Sequence, residues 1–240
     1  MRYQKIDGIR GILLISMIGY HICWDLVNLA GVSIPGYTDW PGFLWQQSIC
    51  WGFILISGFC AYLSRNRFQR GLIVFLCGAF VTVLTTLFIP EDRVVFGILT
   101  FLGSAMLLTN LLRKYIQTMP PIVGMIVFSI LFYLFYPLNQ GYLQCAGIRI
   151  RLPDRLYSNY FSTFLGFMQS NFFSTDYYSI LPWFFLFLIG FETGALLKDS
   201  TMLSILKKGF LPPVEWAGRH ALPLYLLHQP LIYLFLMMLR

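Results

Sequence analysis

Along most of this chain apolar residues do not alternate with polar ones; they continue for a membrane's depth before charge, proline or glycine interrupts them. A helix crossing about 30 Å of hydrocarbon needs about 20 such residues. Runs of this kind fall at approximately 8–30, 43–63, 71–89, 95–112, 121–137, 178–197 and 220–239. The pattern predicts an all-α, polytopic transmembrane helix bundle of about seven spans, built as one domain over residues 1–240. The fifth run, between Pro121 and Pro137, is the shortest, and the fourth contains two glycines. The stretch 157–174 is aromatic but broken by Ser, Asn and Gly, which fits an interfacial or re-entrant segment and would add an eighth element. It belongs to a long connection at about 138–177. Loops longer than about 12–15 residues are usually functional or disordered. With Tyr157, Tyr160, Phe161, Phe164 and Phe172 in it, this one is too apolar for a free linker and is expected to lie over the outer mouth of the bundle.

Composition removes the soluble alternatives. Hydrophobic residues make up 58% and charged residues 11%, against roughly 45–50% and 25% in globular domains, so the chain belongs in a bilayer. The mean hydropathy of +0.69 is spread along the length, which excludes a soluble domain on one anchor. The first apolar run outlasts the apolar region of a cleaved leader and similar runs follow it, so it is expected to be a span. Four of the five cysteines lie in apolar runs and no CxxC or Cys/His spacing occurs, so neither a disulfide framework nor a metal is expected. Placing the N-terminus in the cytoplasm puts twelve of the seventeen basic residues on the inner side, the bias that orients membrane proteins. The net charge of +7 is then explained by a rim beside anionic lipid, without nucleic acid.

The first run carries Asp7, Arg10, His21 and Asp25. At 100° per residue, with Arg10 at zero, His21 falls near about 20° and both aspartates near about 60°. One helix face therefore holds all four. Ionisable groups inside a bilayer face protein or water rather than lipid, so the stripe predicts a polar interior track. Arg10 and His21 lie about 16 Å apart along the axis, one near the inner headgroups and the other past the middle. His21 and Asp25 are i, i+4 neighbours, close enough for the carboxylate to orient the ring and leave its other nitrogen as a general base. The same pair could instead bond to a neighbouring helix.

Several stretches carry a resemblance. Arg10 and His21 form R-x10-H; WGFILISGFCAYLSRNRFQRG at 51–71 contains an SGF motif followed by the RxxR pair Arg67 and Arg70; FGILTFLG at 96–103, STDYYSILPWFFLFLIG at 174–190 and GRHALPLYLLHQPLI at 218–232 follow in order. Together they cover nearly the whole chain. They resemble the transmembrane acyltransferase superfamily, and within it the heparan-alpha-glucosaminide N-acetyltransferase catalytic-domain family and its bacterial relatives. The resemblance implies a cytoplasmic acetyl-CoA (acyl-CoA) donor and a sugar acceptor on the outer side, with Arg10 and His21 essential and Arg67 and Arg70 near the donor's phosphates.

Physical chemistry supplies further candidates. Coenzyme A phosphates need cations at the inner mouth, where the topology puts Arg10, Arg65, Arg67 and Arg70; the ordinary positive-inside rim explains the last three equally well. His228 falls near mid-membrane between Pro223 and Pro230, to contact the donor or to bond a freed carbonyl. On the outer side Asp176 and Trp183 could bind a sugar, or act as a helix cap and a member of the interfacial aromatic belt. Glu192 is read as a partner for a basic residue and Ser57 as packing beside Gly58. The expected function is acyl transfer, with His21 as base, Asp25 as its orienter, and Arg10 as a donor-site or structural cation. Its alternatives are a small proton- or solute-coupled transporter and a non-catalytic sensor. The expected location is the cell membrane, as a multi-pass protein; the expected partners are membrane lipids, acyl-CoA and a carbohydrate acceptor, with a homodimer compatible.

Overall fold

A computed structural model describes residues 3–238; Arg2 and Arg240, counted in the charge bias, and the last residue of the seventh run lie outside the described residues. The helices are α1 (Gln4–Asn28), α2 (Trp40–Leu63), α3 (Arg67–Phe88), α4 (Ile98–Ile116), α5 (Pro121–Phe135), α6 (Tyr160–Leu165), α7 (Trp183–Leu197), α8 (Thr201–Ile205), α9 (Pro212–Arg219) and α10 (Ala221–Met238). A single antiparallel hairpin, β1 (Tyr142–Cys145) and β2 (Ile148–Arg151), interrupts them among the described residues. Each predicted apolar run holds a helix. By length and composition, four segments can cross a membrane: Gln4–Asn28, Trp40–Leu63, Arg67–Phe88 and Pro121–Gln140. Helix α7 and the Ala221–Phe235 part of α10 are apolar but shorter, and α4 ends in the basic pair Arg113 and Lys114.

The helices are apolar on the outside as well as within. On α1, Leu14 and Met17 are buried while Ile9, Ile12, Ile15 and Ile22 are exposed. On α3 only Arg67, Gly71 and Gly78 are buried, and Leu72, Ile73, Leu76, Phe80 and Val83 face outward. Continuous exposed apolar faces are not tolerated in water; in a bilayer they meet lipid tails. The protein is a membrane protein.

The chain forms two compact units, residues 1–56 with 199–240, and residues 57–198. In the first, Leu14 and Met17 pack with Ile49 and Ala217, and Tyr20, Trp45, Leu224 and Tyr225 surround them. Helices α1 and α9 touch backbone to backbone because the contact residues are glycines. A Cβ built on Gly11 would run into the Val214 carbonyl, and one on Gly218 into the Asp7 carbonyl. Such small-residue contacts let membrane helices approach without a hydrophobic driving force. Gly11→Ala should therefore lower unfolding stability in detergent by about 1–3 kcal/mol. Gly19→Ala is the control: its Cβ would sit an ordinary 3.7 Å from Trp45, so helix propensity should leave it neutral or slightly stabilising.

In the second unit α3 packs on α4 through Gly71, Gly78 and Gly103, and Gly58 of the SGF motif lies against the Phe187 carbonyl of α7. Ser57–Phe59 is thus a packing motif at its glycine. The long connection is ordered. Asn159 and Ser162 cap α6 reciprocally, Ile180 N–H donates to Phe164 O at 2.9 Å, and Tyr178 N–H to Phe96 O at 2.9 Å. The stretch 157–174 contains one α-helix of 6 residues, about 9 Å long at 1.5 Å per residue. Residues 142–151, expected as loop, form the hairpin, turning at Ala146 (φ 46°) and Gly147 (φ 86°), the two left-handed positions of a tight hairpin turn.

Candidate functional site

Within the first unit the polar stripe of α1 meets α9 and α10. Arg10 Nη1 reaches Asp7 Oδ1 at 3.4 Å and donates to Gly218 O at 3.3 Å, tying the start of α1 to the end of α9. Its side chain is 26% exposed. Leu14 and Met17 fill the face between Arg10 and the next polar layer.

That layer is built from two adjacent residues of α10 facing two residues one turn apart on α1. The His21 and His228 rings lie 4.9 Å apart between centroids, tilted by 58°. Gln229 Nε2 donates to Oδ1 and Oδ2 of Asp25 at 3.0 and 3.1 Å. Asp25 is wholly buried, and the amide spreads its donors over both carboxylate oxygens. The carboxylate is thus engaged by α10, and a second histidine lies beside the His21 ring.

The tautomer of His228 follows from its neighbours. Nδ1 contacts the carbonyl oxygen of Tyr225. A carbonyl only accepts, so Nδ1 carries the proton and Nε2 keeps its lone pair. Nε2 is buried and has no hydrogen-bond partner among the described residues, as is Gln229 Oε1. Buried polar atoms are nearly always paired, and these two belong to adjacent residues of α10. Sequence reasoning selected His21, Asp25 and His228 but missed Gln229. The signal was an amide in an apolar helix immediately after a candidate histidine.

A small aromatic cap closes the same unit. Tyr37 donates its hydroxyl to Tyr20 O at 3.3 Å, and burial followed by that bond pushes its ionisation up, so it donates as a neutral phenol. Trp45 Nε1 donates to Ser16 Oγ at 2.8 Å.

The remaining predicted residues lie in the second unit and have structural contacts. Arg67 is buried and donates through Nε to Ala61 O and through Nη2 to Tyr62 O, the latter at 2.8 Å. It caps the last carbonyls of α2, a role the RxxR spacing does not reveal. Arg65 and Arg70 are exposed. Trp183 packs with Tyr178, Phe132 and Tyr136 at 5.2, 5.8 and 6.0 Å. Glu192 is 2% exposed, lies over Gly124, and has Oε1 without a hydrogen-bond partner among the described residues.

Asp176 is a cap, though of a different helix from the one that follows it: its Oδ2 accepts from Ile98 N–H at 2.8 Å at the start of α4. Burial pushes its carboxyl from 3.8 up to about 6, against the lowering effect of that bond. An acid with a raised folded pKa binds protons more tightly in the fold, so its contribution to stability falls as pH rises from about 3.8 to about 6. Asp176→Asn keeps an acceptor for Ile98 and removes this dependence. Unfolding midpoints in detergent should favour the native residue more at pH 4 than at pH 7. Nearby, burial pushes the Tyr177 hydroxyl up to about 12, so it remains a donor, to Thr163 O at 2.6 Å.

No curated protein and no solved structure matches the chain. The model of one family, described as heparan-alpha-glucosaminide N-acetyltransferase, catalytic, matches residues 2–230. The match takes in α1 with Arg10 and His21, the layer formed by His228 and Gln229, and the whole long connection. The chain belongs to the heparan-alpha-glucosaminide N-acetyltransferase catalytic-domain family.

Proposed function

We propose that the protein transfers an acetyl group from cytoplasmic acetyl-CoA to a hydroxyl or amine of an extracytoplasmic saccharide. The observation that carries this reading is the pairing of His21 with His228 on the polar face of α1 that also holds Arg10. In the proposed reaction the acceptor's oxygen or nitrogen attacks the thioester carbonyl while His21 takes its proton. The carbon–sulfur bond then breaks and the proton passes to the departing thiolate. In the bilayer interior a protonated His21 needs a nearby acceptor, and His228, whose ring lies 4.9 Å from it between centroids, is assigned that role. Asp25, held by Gln229, fixes the layer electrostatically.

Arg10 has its guanidinium at the opposite end of the face, where an anionic donor group would dock. In this reading the chain spans the cell membrane seven times with its N-terminus in the cytoplasm. Proteoliposomes of known orientation test the sidedness. Labelled acetyl-CoA supplied at the cytoplasmic face should modify acceptor present at the other face. Transfer only when both substrates share one face would reject the transmembrane reaction, and passage of intact solute without label transfer would favour a carrier.

A further inference from the structure

Asp176 caps α4 and Trp183 lies in an aromatic cluster. The long connection also contains a cleft of about 610 Å³, within the range of about 300–1,000 Å³ for small-molecule sites. Its walls come from the hairpin and from the turns on either side of it.

The hairpin register makes this cleft polar. Tyr142 pairs with Arg151 and Gln144 with Arg149, while Leu143 pairs with Ile150 and Cys145 with Ile148. Paired residues share a face and successive residues alternate. One face therefore presents Tyr142, Gln144, Arg149 and Arg151, and the other is apolar. The frame is fixed: Tyr157 donates its hydroxyl to Leu138 O at 2.8 Å, Leu152 N–H donates to Gly141 O at 2.9 Å, and Gln144 Nε2 donates to Tyr133 Oη at 2.8 Å.

Charge then selects the ligand. Arg149 lies 5.0 Å from the centre of the Tyr142 ring and has no carboxylate partner among the described residues. Arg151 meets Asp154 at 3.5 Å, but the two side chains are 85% and 87% exposed. Such a pair contributes little and is easily exchanged. Two guanidinium groups against one solvated carboxylate leave the cleft cationic, and the planar fork of arginine matches an oxyanion. Around them Asn139, Gln140 and Ser170 offer the amides and hydroxyl that bond to sugar hydroxyls.

We propose that this cleft docks an oxyanion-bearing saccharide, with the acid group on Arg149 and Arg151 and the ring hydroxyls on Gln140 and Asp154. That the ligand is a saccharide rests on the acetyltransferase reading; the preference for an oxyanion rests on the cleft itself. Purified full-length protein in nanodiscs of neutral lipid is titrated calorimetrically with four probes. These are a galacturonate oligosaccharide, its neutral methyl ester, a sulfated disaccharide, and a sugar phosphate. Inorganic sulfate and anionic lipid vesicles serve as competitors.

At least one acid-bearing sugar should bind about tenfold or more tighter than the neutral ester, and the probe that does so identifies the acid. Arg149→Ala/Arg151→Ala should remove the preference with an unchanged unfolding midpoint, and Arg149→Lys/Arg151→Lys should keep part of it. Equal affinity for acid and neutral sugars, unaltered binding by the double alanine variant, or capture of anionic vesicles in place of sugars would overturn the proposal. Selective binding without acetyl transfer would leave the cleft standing and reject the acetyltransferase reading. Transfer to an acceptor with no acid preference would do the reverse.

Discussion

His21→Ala is expected to reduce acetyl transfer by about 100- to 10,000-fold, the usual contribution of a positioned general base, while the protein still inserts and folds. The ring is half-buried and its described contacts are with the rings of Tyr20, at 6.1 Å, and His228, at 4.9 Å. Removing it therefore deletes chemistry and leaves the Asp25–Gln229 connection of α1 to α10 in place. His21→Gln, which retains a hydrogen-bonding side chain but no titratable nitrogen, should be nearly as inactive. Circular dichroism and the unfolding midpoint check the fold, and labelled-acetyl transfer checks the activity. Comparable inactivity with an intact fold in both variants identifies loss of the base as the cause.

The second large effect concerns stability. Gln229→Leu should cost about 2–3 kcal/mol, measured as denaturant unfolding in detergent, because it withdraws both hydrogen bonds donated by this amide to a fully buried carboxylate. Hydrogen bonds to charged groups contribute about 1.5–3 kcal/mol. Asp25→Asn in the native background should cost less, since its carbonyl oxygen still accepts from Gln229. The double variant Asp25→Leu/Gln229→Leu should recover much of the loss, because both polar groups then leave the interior together. A Gln229→Leu protein as stable as the native one would remove this layer from the account of how α1 and α10 are held.

Much of this arrangement was legible in the amino-acid pattern. A strict 100° periodicity located Asp7, Arg10, His21 and Asp25 on one face, and in the structure that face meets α9 and α10. The apolar runs marked where helices occur because hydrocarbon thickness sets their length. Partner choice was less legible. An i, i+4 spacing brings His21 and Asp25 to one face, and α10 adds Gln229 at the carboxylate and His228 beside the ring, partners that have no local signal. Arg67 illustrates the same limit: as the first residue of α3 it reaches two carbonyls near the end of α2, which its charge alone does not reveal.

The hairpin had a signal that was available. Ile148-Arg149-Ile150-Arg151 alternates with period two after an Ala-Gly turn, the signature of a strand with one polar face. Its short length, among runs read for membrane-length helices, hid it. The glycines of the α1–α9 contact were visible as residues, but their purpose depends on a neighbour about 200 positions away, Val214 for Gly11 and Asp7 for Gly218.

The central claim is acetyl transfer dependent on His21. Its most direct measurement is a single-turnover experiment in which purified native protein and His21→Ala are each mixed with acetyl-labelled CoA and a panel of amino sugars and polysaccharides. The predicted result is rapid appearance of label in one saccharide class with the native protein and almost none with the variant. Equal label transfer by the two proteins, or no label transfer by the native protein to any saccharide, would contradict it.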